Sequence, residues 1–157
     1  MSGVTTFEAE LLRTGRLAYT NVGTSMLPLV REGRDVIMIE RRSPEEIRNR
    51  DVVLFRRPGI RGRGQYVLHR VLKRRPDGRF WIVGDNCVSG EDVRPEDVLG
   101  VMTGLKRNGK TVRPADYWYR VYVALWCAPY PMRFAVLRAG RFLRRALHAV
   151  LRRVRGQ

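Results

Sequence analysis

The chain has 157 residues, 44% of them hydrophobic and 29% charged, which suits one globular domain with a terminal extension. Its two cysteines show no spacing typical of a disulfide framework or a zinc site, so we expect no disulfide scaffold, no bound metal and no cofactor. The formal net charge of +16 is unusually high and indicates an anionic partner.

The first predicted element is a short amphipathic helix within residues 1–15. Thr5 and Glu8 have the spacing of a capping box, and Phe7, Leu11 and Leu12 follow at helical intervals. Charged residues interrupt this region, and it lacks the continuous apolar run of a secretory signal. We therefore expect neither an export signal nor a membrane anchor here.

Residues 16–113 are predicted to form a β domain. Runs rich in β-branched and aromatic residues alternate with turn sequences such as Pro58-Gly59 and Asn108-Gly109. Strands are predicted at 36–39, 51–55, 66–73, 79–83 and 98–105. Short strands at this spacing are typical of a small, strongly bent antiparallel sheet or barrel, so the predicted fold class is mainly β with a C-terminal basic helical extension.

The extension, residues 114–157, is predicted to be helical. It has nine arginines after Asp116 and no further acidic residue. One helix is predicted from Pro114 to about residue 128, and a second, with a basic and an apolar face, from about 132 to 154. Such a helix suits an anionic membrane surface, so we expect a cytoplasmic protein bound peripherally to the inner membrane face. The alternative is that the apolar face packs on the β domain.

Two other roles for the extension are disfavoured. The longest uncharged stretch of the extension, 121–132, spans 12 residues and contains two prolines, which is too short for a transmembrane helix. No nucleic-acid-binding motif is present, and the aromatic residues of the extension cluster in a non-basic stretch. We therefore do not expect nucleic acid as the partner.

Three short motifs contain candidate catalytic residues. Ser25 lies on a turn between Gly23 and Pro28, where it is either an exposed nucleophile or part of a polar turn. His69 interrupts an apolar strand, where it is either a general base or a hydrogen-bonded core residue. Gly84-Asp85-Asn86 follows a strand, and its carboxylate either takes part in catalysis or caps backbone amides.

In this order, the three motifs resemble those of the signal peptidase I superfamily of serine endopeptidases. The segment Gly23-Thr24-Ser25-Met26-Leu27-Pro28 is similar to the nucleophile box, residues 66–71 to the strand of the general base, and Gly84-Asp85-Asn86 to the last box. The resemblance covers roughly residues 16–106. It implies a bent β fold that cleaves a leader or signal segment from a peptide or preprotein substrate by acyl transfer.

The resemblance also implies residue roles. Ser25 is the expected nucleophile, and His69, at the position that is lysine in the bacterial branch, is the expected base. Lys73 cannot replace it, because four residues along a strand span about 13 Å. For the third member we rank Asp85 first and Asp92 second.

Two further points of the resemblance stay open. Glu91 is another match for the second acidic position of the family. The bacterial branch has a hydroxyl residue where this chain has Gly23, so the oxyanion would rely on the amide of Ser25, with that of Thr24. Because this hydroxyl is missing, the alternative is a catalytically weak or inactive protein that binds peptides or acts as a membrane adaptor.

Overall fold

An eight-stranded antiparallel sheet forms most of the molecule. The structure is a computed structural model that describes residues 6–58 and 64–155, and for residues 153–155 it describes the backbone alone. The strands are β1 Arg16–Thr20, β2 Asp35–Glu40, β3 Val52–Arg57, β4 Gln65–Arg74, β5 Phe80–Val83, β6 Glu91–Val93, β7 Val98–Arg107 and β8 Lys110–Val112. Their order is β1-β2-β7-β3-β4-β5-β6, with β8 paired to β7. The sheet is open, because β1 and β6 are its two edges.

The five predicted strands are confirmed as β2, β3, β4, β5 and β7. The central strand β3 is buried on both faces: Val52 and Leu54 belong to one apolar cluster, Val53 and Phe55 to another. A strand buried on both faces has a continuous apolar sequence, which made it predictable. The short strands β1, β6 and β8 were not predicted.

The sheet is curved and is not a closed barrel. Register shifts interrupt the pairing of β2 with β7, of β3 with β7 and of β4 with β5, and bulges of this kind increase local twist. Arg57 of β3 hydrogen bonds to Glu91 of β6, although β4 and β5 separate these strands in the sheet. The bend therefore folds the edge strand β6 back over β3.

Helices precede and follow the sheet. Helix α1 (Phe7–Thr14) has Thr6 as its N-cap; the predicted cap Thr5 lies outside the described residues. Helix α2 (Tyr117–Tyr122) continues as a π-helical turn, Val123–Cys127, and α3 covers Tyr130–Arg155. No helix in the described ranges combines the length and the apolar character needed to cross a membrane.

The first part of α3 packs on the β domain through its basic side. Arg133 is buried, and Phe134, Leu137 and Arg141 are half-buried, whereas residues 142–152 are all exposed. The apolar face of α3 comprises Val136, Leu143, Leu147 and Val150, whose exposed fractions are 53–66%. This apolar face is therefore not packed on the β domain.

Candidate active site

Ser25 lies in the turn between β1 and β2. The buried residues Met26 and Val30 anchor this turn in the core, while Ser25 is half-buried and Thr24 exposed. Gly23 has φ +97°, a conformation that favours glycine, and its N–H donates to Glu32 Oε2 at 2.8 Å. Within the described part of the chain, the amides of Thr24 and Ser25 donate no hydrogen bond to another backbone group.

Gly84 is the point at which the Ser25 turn meets His69. A methyl group on its Cα would lie 2.7 Å from Ser25 O, 2.8 Å from Cys87 Sγ and 2.9 Å from His69 Nε2. Glycine is therefore required for this close approach. The structure thus brings two of the predicted residues, Ser25 and His69, to a common position.

Asn86 links the Gly84-Asp85-Asn86 turn to the Ser25 turn. Its backbone N–H donates to Ser25 O at 2.8 Å, and its side-chain Nδ2 donates to Thr24 O at 3.1 Å. Two hydrogen bonds from one residue fix both the position and the orientation of the peptide groups on either side of Ser25. Asn86 is thus a structural partner of the Ser25 turn.

Glu91 is the carboxylate that faces His69. Among the described carboxylates it alone has an oxygen within 4.0 Å of a ring nitrogen: Oε1 lies 3.7 Å from Nδ1. Arg57 binds Glu91 through two hydrogen bonds, one of them from Nε to Oε2 at 2.8 Å. Burial alone would raise the pKa of Glu91, but the interactions with His69 and Arg57 outweigh it and lower the pKa to about 2. Glu91 is therefore held as a carboxylate beside the imidazole.

Asp85, ranked first as the third member, faces away from His69 into a buried cluster. It accepts two hydrogen bonds from Arg70, at 2.8 and 2.7 Å, and one from Tyr122 Oη at 2.8 Å. Both Asp85 and Arg70 are fully buried. Attraction to Asp85 raises the pKa of Arg70, against the effect of burial. The geometry gives Asp85 a bracing role.

Asp92, ranked second, also lies away from the imidazole. It follows Glu91 directly on β6, and successive side chains of a strand point to opposite faces. Its carboxylate pairs with Arg75 at 2.8 Å and is 40% exposed. Lys73, excluded by its distance along the strand, packs its ammonium on the Trp81 ring.

Three residues near the site were not predicted from the sequence, Arg57, Cys87 and Arg141, whereas Asn86 belonged to a predicted motif without a role of its own. Arg57 and Arg141 are far from Ser25 in the chain, so only the folded sheet shows their proximity. Cys87 is different, because it follows the Gly84 motif by three residues and this spacing was a usable signal. Burial raises the pKa of the Cys87 thiol, which favours its protonated form.

Comparison with known proteins gives no relative. No family model matches the chain, and neither the curated proteins nor the solved structures include a significant match. The resemblance to signal peptidases therefore depends on the sequence motifs alone. Function has to be inferred from the site.

Proposed function

We propose that this protein is a membrane-associated serine endopeptidase of the signal peptidase I type, with the bent β fold of that superfamily. The observation that carries the proposal is the contact at Gly84, where the main-chain oxygen of Ser25 and Nε2 of His69 each lie within 3.0 Å of the position that a Cβ would take. This contact brings the residue of the proposed nucleophile beside the residue of its proposed base, and the hydrogen bond from Ser25 Oγ to His69 Nε2 would form with substrate bound.

In the proposed reaction, Ser25 Oγ attacks the carbonyl carbon of the scissile peptide bond while His69 Nε2 accepts its proton. The amides of Thr24 and Ser25 stabilise the oxyanion, and collapse of the intermediate transfers the proton to the leaving amine. Water then hydrolyses the acyl-enzyme with His69 again as base. Glu91, opposite Nδ1, stabilises the imidazolium in both halves of the reaction.

The test is covalent labelling of Ser25 by an alkyl fluorophosphonate, followed by intact mass. We expect one adduct on the wild type, no adduct on Ser25→Ala or His69→Ala, and labelling at least tenfold slower in Glu91→Gln than in Asp92→Asn. Ser89→Ala is the matched serine control, since Ser89 is exposed, and Cys87→Ala excludes reaction at the thiol. A folded wild-type protein that forms no adduct would refute the peptidase proposal.

Membrane association is supported by the surface of α3. Its apolar face is exposed, and residues 117–157 contain nine arginines and no acidic residue. Each arginine near an anionic leaflet contributes about 1 kcal/mol, and buried apolar side chains add to this. We expect the protein to float with phosphatidylglycerol vesicles and not with phosphatidylcholine vesicles; equal flotation would contradict the electrostatic contribution.

A peptide-binding adaptor is the second candidate, and one observation favours it. The N–H of Gly23 is engaged by Glu32, and this position has no hydroxyl group to assist the oxyanion. Losing one oxyanion donor costs about 3 kcal/mol of transition-state stabilisation. An adaptor would bind peptides without forming the fluorophosphonate adduct.

A further inference from the structure

The C-terminal extension makes direct contact with the turn that holds Ser25. On α3, Arg141 Nη2 donates to Asn86 O at 2.8 Å. Asn86 in turn donates to Ser25 O and to Thr24 O. A continuous series of hydrogen bonds therefore joins the basic helix to the peptide groups of the candidate nucleophile.

Arg141 occupies a particular place on the helix. Of the α3 side chains described, it is the last that is not exposed, and every residue from 142 to 152 is exposed. The preceding turns are fixed on the β domain by Arg133, whose Nη1 lies 3.5 Å from Asp85 Oδ1, and by the Tyr130 and Phe134 rings against Trp81. Arg141 thus lies at the boundary between the docked and the exposed parts of α3.

The chemistry of the contact suits a restraint on the turn. A guanidinium forms a charge-assisted hydrogen bond to a carbonyl, which is stronger than a neutral one. Asn86 receives this bond at its carbonyl while its amide and side chain hold the Ser25 turn. A displacement of about 1 Å at a nucleophile reduces the rate about 100-fold, so loosening this turn would reduce reactivity sharply.

We infer that Arg141 is a positioning residue for Ser25, through which the membrane-facing helix controls the reactivity of the site. The inference depends on the proposed peptidase function for its effect on rate. It does not depend on that function for its effect on structure, because the order of the Asn86 turn can be measured directly.

The experiment compares Arg141→Gln, Arg141→Lys and the matched control Arg138→Gln, an exposed arginine on the same helix, without lipid. We expect fluorophosphonate labelling of Ser25 to slow at least tenfold in Arg141→Gln, through the limiting rate and not through reagent affinity. Arg141→Lys should recover part of that loss, and Arg138→Gln should behave like the wild type. Amide hydrogen exchange at Asn86 should accelerate in Arg141→Gln alone.

The outcomes separate the two proposals. If the wild type is labelled but Arg141→Gln reacts and exchanges like the wild type, the positioning role is overturned and the peptidase stands. If no protein is labelled, the peptidase proposal is refuted, and amide hydrogen exchange at Asn86 tests the positioning role by itself. Faster exchange in Arg141→Gln alone would support that role, and unchanged exchange would overturn it. Equal slowing in Arg138→Gln would show an effect of helix charge and would also overturn it.

Discussion

At the scale of single residues, Gly84 is the most demanding position in the site. A side chain there would overlap Ser25 O, Cys87 Sγ and His69 Nε2 at 2.7–2.9 Å. One of these atoms is backbone and none belongs to a long flexible side chain. The site therefore depends on the absence of a single carbon atom.

We expect Gly84→Ala to lower the free energy of unfolding by about 1–3 kcal/mol, the usual cost of overpacking, and to abolish labelling of Ser25. Urea denaturation and fluorophosphonate labelling measure the two effects. Gly140→Ala is the control: a methyl group there meets nothing within 4 Å, and alanine is the better helix former by about 1 kcal/mol. A Gly84→Ala protein as stable and reactive as the wild type would show that the three atoms do not approach Gly84 this closely.

Ionisation of Glu91 makes the free energy of unfolding depend on pH in the acid range. Its pKa is lowered in the folded state to about 2, from about 4.3 in an unfolded chain. Its contribution to stability is therefore complete above about pH 4.5 and is lost as pH falls towards 2. Removing the carboxyl group removes this part of the acid sensitivity.

We expect the free energy of unfolding of Glu91→Gln to change less between pH 5 and pH 2 than that of the wild type. Denaturant titrations at pH steps across this interval measure the difference. In Glu45→Gln, at an exposed position, the free energy of unfolding should change with pH as it does in the wild type. Parallel curves for the wild type and Glu91→Gln would mean that Glu91 is not held by His69 and Arg57 in solution.

At the scale of elements, Asp85 connects the sheet to α2 and to the π-helical turn that follows it. It binds Arg70 of β4, Tyr122 of α2 and, by its main-chain oxygen, Trp126 in the π-helical turn. Its removal would leave the guanidinium of Arg70 buried without a counter-charge. Breaking a buried pair in this way costs about 3–5 kcal/mol.

We therefore expect Asp85→Asn to lower the free energy of unfolding by about 3–5 kcal/mol, measured by urea denaturation. The triple variant Arg70→Met, Asp85→Leu and Arg133→Met should cost less than the single one, because both buried cations that face Asp85 are removed together with it. If Asp85→Asn is as stable as the wild type, the buried pair does not brace the fold.

The elements also show what the sequence could predict. The main strands were identified by continuous apolar runs, such as that of β3. The helices were identified by amphipathic patterns, such as that of α3. Strand β6 begins with Glu91-Asp92 and has no apolar pattern, so neither the strand nor the approach of Glu91 to His69 could be predicted. That approach depends on the bend that brings β6 over β3, a long-range property.

The residues of the candidate site also fall into those that the sequence could predict and those that it could not. Ser25 and His69 were selected by local motifs, and the structure places them together. The ranking of Asp85 before Asp92 as the third member stays a prediction. In the structure, Asp85 meets Arg70, whereas Glu91 meets Arg57 and His69. The order of acidic residues in the chain contains no information on those distant partners.

At the scale of the whole molecule, charge and apolar surface are concentrated on the same helix. The exposed apolar face of α3 continues for several turns beyond Arg141, and the same exposed segment contains Arg144, Arg145 and Arg152. The β domain has its apolar residues in two clusters inside the structure. The Asn86 turn lies next to α3, through its contact with Arg141.

We expect Leu143→Gln with Leu147→Gln to reduce flotation with phosphatidylglycerol vesicles at least tenfold, because both side chains are more than half exposed and each buried methylene contributes about 0.8 kcal/mol. Leu12→Gln, on α1 and 65% exposed, is the matched control and should float like the wild type. Raising the salt from 0.1 M to 1 M should weaken the binding of all three proteins, since the Debye length falls from about 10 Å to about 3 Å. Flotation that is unaffected by the double substitution would show that the apolar face of α3 does not enter the bilayer, and salt sensitivity would then measure attraction by the arginines alone.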